Sequence, residues 1–111
     1  MTAAARVPDW HVTRGDAFNQ RVVIEAYTIT GRTWRSQVRV NSNSTVAATF
    51  TITAADGTGD EVGNVTLDFY LAASVTVGLV GRYEWDLEQT ENLMPVTLLR
   101  GVLQVSEDIT Q

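Results

Sequence analysis

The sequence lacks cysteine and lysine altogether, and its 111 residues include one histidine and two prolines. Without cysteine there is no disulfide scaffold, no thiolate zinc site and no cysteine nucleophile. No apolar run approaches the roughly 18 residues of a membrane span, so we expect no membrane partner. Residues 1–8 contain one arginine and no apolar stretch, so we expect a flexible N-terminal arm there rather than a secretory signal.

The charge balance is acidic, with thirteen Asp and Glu residues against eight arginines and a net charge of −5. Affinity for nucleic acid comes mostly from neutralising phosphates. We therefore expect no nucleic-acid partner. The length fits one domain, which we expect to span residues 9–111.

The stretch 81–109 carries the clearest pattern. Tyr83, Trp85 and Leu87 alternate with charged residues, which predicts a strand with an aromatic inner face. A polar gap at 89–94 and a second apolar run at 96–105 predict a β-hairpin with a turn in that gap. Because a hairpin alone is marginal in water, earlier strands are expected to cover its inner face.

Shorter alternating runs precede this hairpin and are separated by turn-forming residues. The predicted strands are 9–13, 18–26, 33–40, 45–55 and 65–71. The β-branched residues of segment 72–80 disfavour a long helix, so a short helical crossover is predicted there. About seven short antiparallel strands and one helical turn indicate an all-β, immunoglobulin-like β-sandwich, and a small barrel is the alternative.

No group of residues points to catalysis or to a bound metal. His11 is the only base available to a serine triad, and no G-x-S-x-G elbow is present. The acidic row Glu84, Asp86 and Glu88 is typical of a solvated strand face. The loop 56–61 resembles a calcium loop but lacks the acid at its last ligand position. We therefore predict a non-enzymatic protein with no cofactor and no metal site.

Aromatic and arginine side chains remain as candidates for a protein interface, because these residue types are enriched there. The edge strand at Trp10–Thr13 also invites pairing with another chain. The interface candidates are Trp10, His11, Tyr27, Arg32, Arg35, Arg39 and Tyr70.

Four short motifs occur in a defined order between residues 12 and 110. They are RGDAF at 14–18, TGRT at 30–33 leading to QVR at 37–39, GRYEWDL at 81–87, and LLRG at 98–101 leading to EDIT at 107–110. Together they resemble small immunoglobulin-like virion proteins of phages and prophages, including the N-terminal domain of phage baseplate upper proteins. That family typically shows R-G-D-[ST]-F, L-T-G before Q-V-R, G-x-Y-x-[YW]-D-L and G-x-[FV]-x-V-x-x-D-[VI]-T.

The resemblance implies a structural protein of the virion, made in the bacterial cytoplasm. It would decorate the head or belong to the neck, the tail tip or the baseplate. Its implied partners are other virion structural proteins, and a homo-oligomer is left open. Asp86 is expected to fix a corner or an arginine such as Arg39. The alternative function is a carbohydrate-binding or host-attachment module, in which an exposed Trp10 or Tyr70 stacks on sugars.

Overall fold

The computed structural model describes residues 5–25, 29, 31–41, 43–57 and 62–107. In this part of the chain the fold is built almost entirely from strands, so the predicted all-β class with one short helical turn is confirmed. The elements are β1 (Ala5–Arg6), β2 (Trp10–Thr13), β3 (Phe18–Ile24), β4 (Arg32–Arg39), β5 (Ala48–Asp56), β6 (Val65–Leu71), α1 (Ala73–Thr76), β7 (Gly81–Glu91) and β8 (Met94–Ser106).

The strands form two layers that share β5. The front sheet places β1 and β2 beside β8, followed by β7, β4 and the start of β5. The back sheet contains the rest of β5, then β6 and β3. Strand β5 changes sheets because Ala48–Phe50 pair with β4 and Thr51–Asp56 pair with β6. This division of strands is that of an immunoglobulin-like sandwich.

The two N-terminal strands run parallel to β8, whereas the sequence predicted only antiparallel pairs. Trp10 of β2 lies opposite Leu103, and Ala5 of β1 lies opposite Leu99. The backbone N–H of Val7 also donates to the carbonyl of Arg100 at 2.8 Å. Residues 5–7 of the predicted flexible arm are therefore held on β8, and residues 1–4 lie outside the described part of the chain.

The β7–β8 hairpin is longer than predicted. Its turn consists of Asn92 and Leu93, which have φ angles of 52° and 64°. Two central residues with positive φ are the mark of a type I′ hairpin turn. Most of the polar gap 89–94 is therefore strand, because these residues pair with β4 on one side and β8 on the other.

The core lies between the inner faces of the two sheets, and aromatic rings dominate its centre. Trp10 stacks on Trp85 with ring centroids 4.2 Å apart and planes 17° apart. Phe69 of the back sheet meets Trp85 edge-on at 5.5 Å, which joins the two layers. The predicted inner face of β7 is confirmed, since Tyr83, Trp85 and Leu87 are buried.

Two local features lock the hairpin into this core. The Tyr83 hydroxyl accepts a hydrogen bond from the backbone N–H of Val80 at 3.1 Å, which is the tyrosine corner of immunoglobulin-like sandwiches. Gly101 lies opposite Trp85 in the β7–β8 ladder. A Cβ atom at Gly101 would come within 2.7 Å of three atoms of the Trp85 indole, so only glycine fits beneath this ring.

The turn 14–16 is anchored on the helical crossover α1. The Thr76 hydroxyl accepts from the N–H of Gly15 at 3.1 Å and donates to the carbonyl of Asp16 at 2.7 Å. Arg14 Nε donates to the carbonyl of Val77 at 2.7 Å. The first motif of the sequence thus ties the link between β2 and β3 to the link between β6 and β7.

Candidate functional site

Trp10 is a core residue, and its predicted place on an exposed interface is wrong. Only 8% of its surface is exposed, because β2 lies along β8 and turns the indole into the space between the sheets. The alternating pattern of β2 correctly predicted which of its side chains share a face, but it did not show that the face of Trp10 is buried. Stacking of Trp10 on a sugar is excluded in this fold, since the ring is already stacked on Trp85.

His11 is exposed beside an open groove of about 440 Å³ between β2 and β3. These are the edge strands of the two sheets in the described part of the chain, as expected for β2. The groove also contains Asp16, Asn19 and Gln20. It is a broad polar surface, and nothing in its described residues positions His11 as a base or a ligand.

Arg32 and Arg35 are held by carboxylates on the neighbouring strand β7. Arg35 Nη2 lies 2.9 Å from Glu88 Oε1, and Arg32 Nη2 lies 3.7 Å from Glu91 Oε2. Each pair is directly opposite in the β4–β7 register. Two of the three arginines predicted to lie at an interface therefore form cross-strand ion pairs, which stabilise a sheet modestly.

The two tyrosine candidates have different outcomes. Tyr27 lies outside the described residues. Tyr70 is 40% exposed on the outer face of the back sheet, between Asn19 of β3 and Thr51 of β5. Single exposed aromatic side chains with polar neighbours are common on protein surfaces, so Tyr70 alone does not define a site.

An ion pair occupies the outer face of the same sheet. Arg21 Nε and Nη2 donate to the two carboxylate oxygens of Asp68 at 2.9 and 3.3 Å. These hydrogen bonds and the positive charge of Arg21 hold the pKa of Asp68 below its ordinary value, against a smaller opposing effect of desolvation. Because the pair is solvent-exposed, we assign it a small structural role.

A shallow pocket of about 240 Å³ lies on the outer face of the front sheet, between β4, β7 and β8. We call it the arginine pocket, since its charged lining consists of Arg6, Arg39, Arg100, Glu84 and Asp86. Arg39 Nη2 donates to Gln37 Oε1 at 2.9 Å, and the buried Nε of Arg39 has no acceptor among the described residues. Asp86 lines the same pocket as Arg39 but forms no ion pair with it, contrary to the expected contact.

The tip of the β7–β8 hairpin exposes large apolar side chains. Leu93 is 92% exposed, Met94 69% and Val96 45%. Residues 94–97 of β8 pair with β7 alone among the described strands, because β1 and β2 join β8 only from Leu99 onward. The hairpin tip, residues 92–96, is therefore an apolar surface, and none of the described strands covers the second edge of its β8 part.

Sequence reasoning missed most of both surfaces. Arg6 and Arg100 were not candidates, because they come from β1 and β8 and line the same pocket as Arg39 only through strand pairing. The hairpin tip did leave a signal. The run Asn-Leu-Met-Pro-Val places apolar residues at a turn, where polar residues and glycine are usual.

The described residues provide no group of three His, Cys, Asp or Glu side chains that could hold a metal ion. The same part of the chain contains no helix of the length and apolarity needed to cross a membrane.

Comparisons with known proteins assign no family. No family model matches the chain, and no curated protein matches it. Among solved structures, it is similar to AggA, the major subunit of aggregative adherence fimbriae type I from Escherichia coli. That match has 8% identity and a TM-score of 0.49, and it covers 92% of this chain and 91% of the fimbrial subunit.

A second similar structure is the extracellular fragment of novel immune-type receptor 11 from Ictalurus punctatus, including its stalk region. The identity is 12% and the TM-score is 0.37, with 100% of this chain and 90% of the receptor fragment covered. Both likenesses are too distant to carry an argument about function.

Proposed function

We propose that this chain is a non-enzymatic structural protein of a bacteriophage virion that binds a neighbouring virion protein. It would serve on the head surface, at the neck or at the tail tip. The observation that carries the binding role is the apolar hairpin tip, where Leu93 is 92% exposed. Large apolar side chains grouped on a surface are typical of sites that contact another protein.

The conformation of Leu93 strengthens this interpretation. Its φ of 64° lies in the left-handed region, which favours glycine or asparagine and costs other residues about 1–2 kcal/mol. Its side chain gains almost no burial within the domain. A leucine at this position thus lowers the stability of the free domain and supplies apolar area to a partner.

The virion assignment rests on the four motifs that resemble phage virion domains. In this fold three of the four motifs occupy framework positions. The first anchors the turn 14–16 on α1, the third carries the tyrosine corner, and the fourth contains Gly101 beneath Trp85. The resemblance therefore involves residues that this architecture needs, which supports a fold shared with the phage virion domains. That the chain also shares their role is our proposal.

The proposal is tested by sedimenting the purified chain with phage particles from which it is absent. Leu93→Gly removes the exposed side chain and suits the turn. Val77→Ala is the matched control, since Val77 is an apolar residue 50% exposed on another surface. Burying one leucine side chain contributes about 1.5–3 kcal/mol, so we expect Leu93→Gly to bind at least tenfold more weakly and Val77→Ala to bind like the wild type.

Two results would count against the proposal, and they are distinct. If the wild-type chain remains in the supernatant at all particle concentrations, the virion role is lost. If the wild type binds and Leu93→Gly binds equally well, the chain is a virion protein that does not use the hairpin tip.

A further inference from the structure

We infer that the arginine pocket binds a carboxylate, namely an Asp or Glu side chain presented by the neighbouring protein. This inference rests on the proposed function, because it needs a protein partner. It names the chemistry by which that partner is recognised, at a surface separate from the hairpin tip.

The first observation is how the arginines are paired. Among the described residues, five of the eight arginines form an ion pair with a carboxylate, and these are Arg14, Arg21, Arg32, Arg35 and Arg82. The other three are Arg6, Arg39 and Arg100, and all three line the arginine pocket. On a chain with net charge −5, acidic partners are plentiful, so three guanidinium groups that have no carboxylate partner among the described residues and surround one pocket point to an anion site.

The second observation is the unsatisfied donor of Arg39. Its Nη2 is used by Gln37, but its Nε is buried and has no acceptor within the described structure. Buried donors are almost always paired in native proteins, because leaving one unpaired costs its lost hydration. A shift of the Arg39 side chain toward the pocket would let an oxygen of a bound carboxylate supply the missing acceptor.

The charge of the pocket selects among anions. Three arginines and two carboxylates line it, which leaves a net charge of +1. Glu84 lies 3.3 Å from Arg82, whereas Asp86 forms no ion pair with any described residue. A singly charged carboxylate balances this lining. A phosphate dianion or a polyanion would be repelled by Asp86 and by the acidic remainder of the domain.

The geometry of the donors also suits a carboxylate. The planar guanidinium group matches two carboxylate oxygens with two parallel N–H donors. The pocket is shallow, and its volume of about 240 Å³ accommodates one side chain. The outer face of the front sheet would thus accept an acidic residue that projects from the surface of the partner.

The test is a nuclear magnetic resonance titration of the full chain with the peptide acetyl-Gly-Glu-Gly-amide, followed at the arginine Nε–H signals. The neutral control is acetyl-Gly-Gln-Gly-amide. We expect the acidic peptide to shift the Arg39 and Arg100 signals to saturation, and the neutral peptide and the signal of ion-paired Arg35 to show no response. Inorganic phosphate and glucuronate are titrated in parallel and should bind more weakly than the acidic peptide.

The variants separate the pocket from general charge effects. Arg39→Gln and Arg100→Gln should each weaken binding at least fivefold, and Arg100 is exposed, so its replacement leaves the fold intact. Arg35→Gln is the matched control with the same charge change and should bind like the wild type. Asp86→Asn should bind more tightly, because it removes a repelling charge.

Several outcomes would overturn the inference. They are equal shifts with the neutral peptide, equal loss in Arg35→Gln, or tighter binding of phosphate or glucuronate than of the acidic peptide. Since the titration uses no particles, it can fail while the chain still sediments with virions. Conversely, carboxylate binding by a chain that never associates with particles would retain the site and refute the virion role.

Discussion

Replacing Gly101 by alanine should strongly destabilise the fold. The added Cβ would lie 2.7 Å from three atoms of the Trp85 indole, well inside contact distance. The ring cannot move away freely, because Trp10 stacks on it at 4.2 Å. Overpacking of a close-packed core typically costs 1–3 kcal/mol, and with the indole held on both faces we expect about 3 kcal/mol.

The assay is urea unfolding followed by tryptophan fluorescence. Gly78→Ala is the matched control, since its Cβ would meet nothing closer than 3.6 Å. Both substitutions reduce the conformational entropy of the unfolded chain, which stabilises the fold by a similar amount of about 0.4–1 kcal/mol. The difference between their free energies of unfolding therefore isolates the steric clash. We expect Gly78→Ala to remain within about 1 kcal/mol of the wild type.

The double variant Gly101→Ala with Trp85→Phe tests the cause. Phenylalanine has a smaller ring than the indole and no counterpart of its outer atom Cζ2, so part of the clash is relieved. The double variant should therefore be more stable than the sum of the two single changes predicts. Additive losses, or a Gly101→Ala protein as stable as the wild type, would refute the packing that we describe around Trp85.

Three further predictions concern single residues. Tyr83→Phe removes the acceptor of the Val80 N–H and should lower the free energy of unfolding by about 1 kcal/mol in urea. Because the pKa of Asp68 is lowered, its pair with Arg21 stabilises the fold above the ordinary aspartate pKa of about 4. This stabilisation is lost as the pH falls below that value. Asp68→Asn should therefore flatten the stability profile in that acidic range, and an unchanged slope would contradict the role of the pair. Leu93→Gly should raise stability by up to about 1 kcal/mol, whereas a clear loss would show that Leu93 serves the fold.

The inner faces of the long strands could be predicted from sequence, because alternation over seven or more residues fixes which side chains share a face. Val65, Leu67 and Phe69 on β6 are buried as expected. The burial of Trp10 could not be predicted in the same way. Strand β2 is only four residues long, and its buried face depends on parallel pairing with β8, about ninety residues away.

The hairpin turn and the arginine pocket could not be predicted from the sequence, for two different reasons. The turn carries Leu93 where glycine is usual, so its local signal contradicts its conformation. The pocket combines Arg6, Arg39 and Arg100, which line one surface only after the four strands β1, β8, β7 and β4 have paired. Local patterns predict strands, whereas the assembly of this site is set by the pairing between them.

Immunogold electron microscopy tests the central claim most directly. Particles from a lysate of the producing bacterium would be labelled with an antibody against this chain. We predict regular label on intact particles, on the head for a decoration protein or at one end of the tail for a baseplate or connector component. Unlabelled intact particles, with the chain recovered entirely from the particle-free fraction, would contradict the virion role.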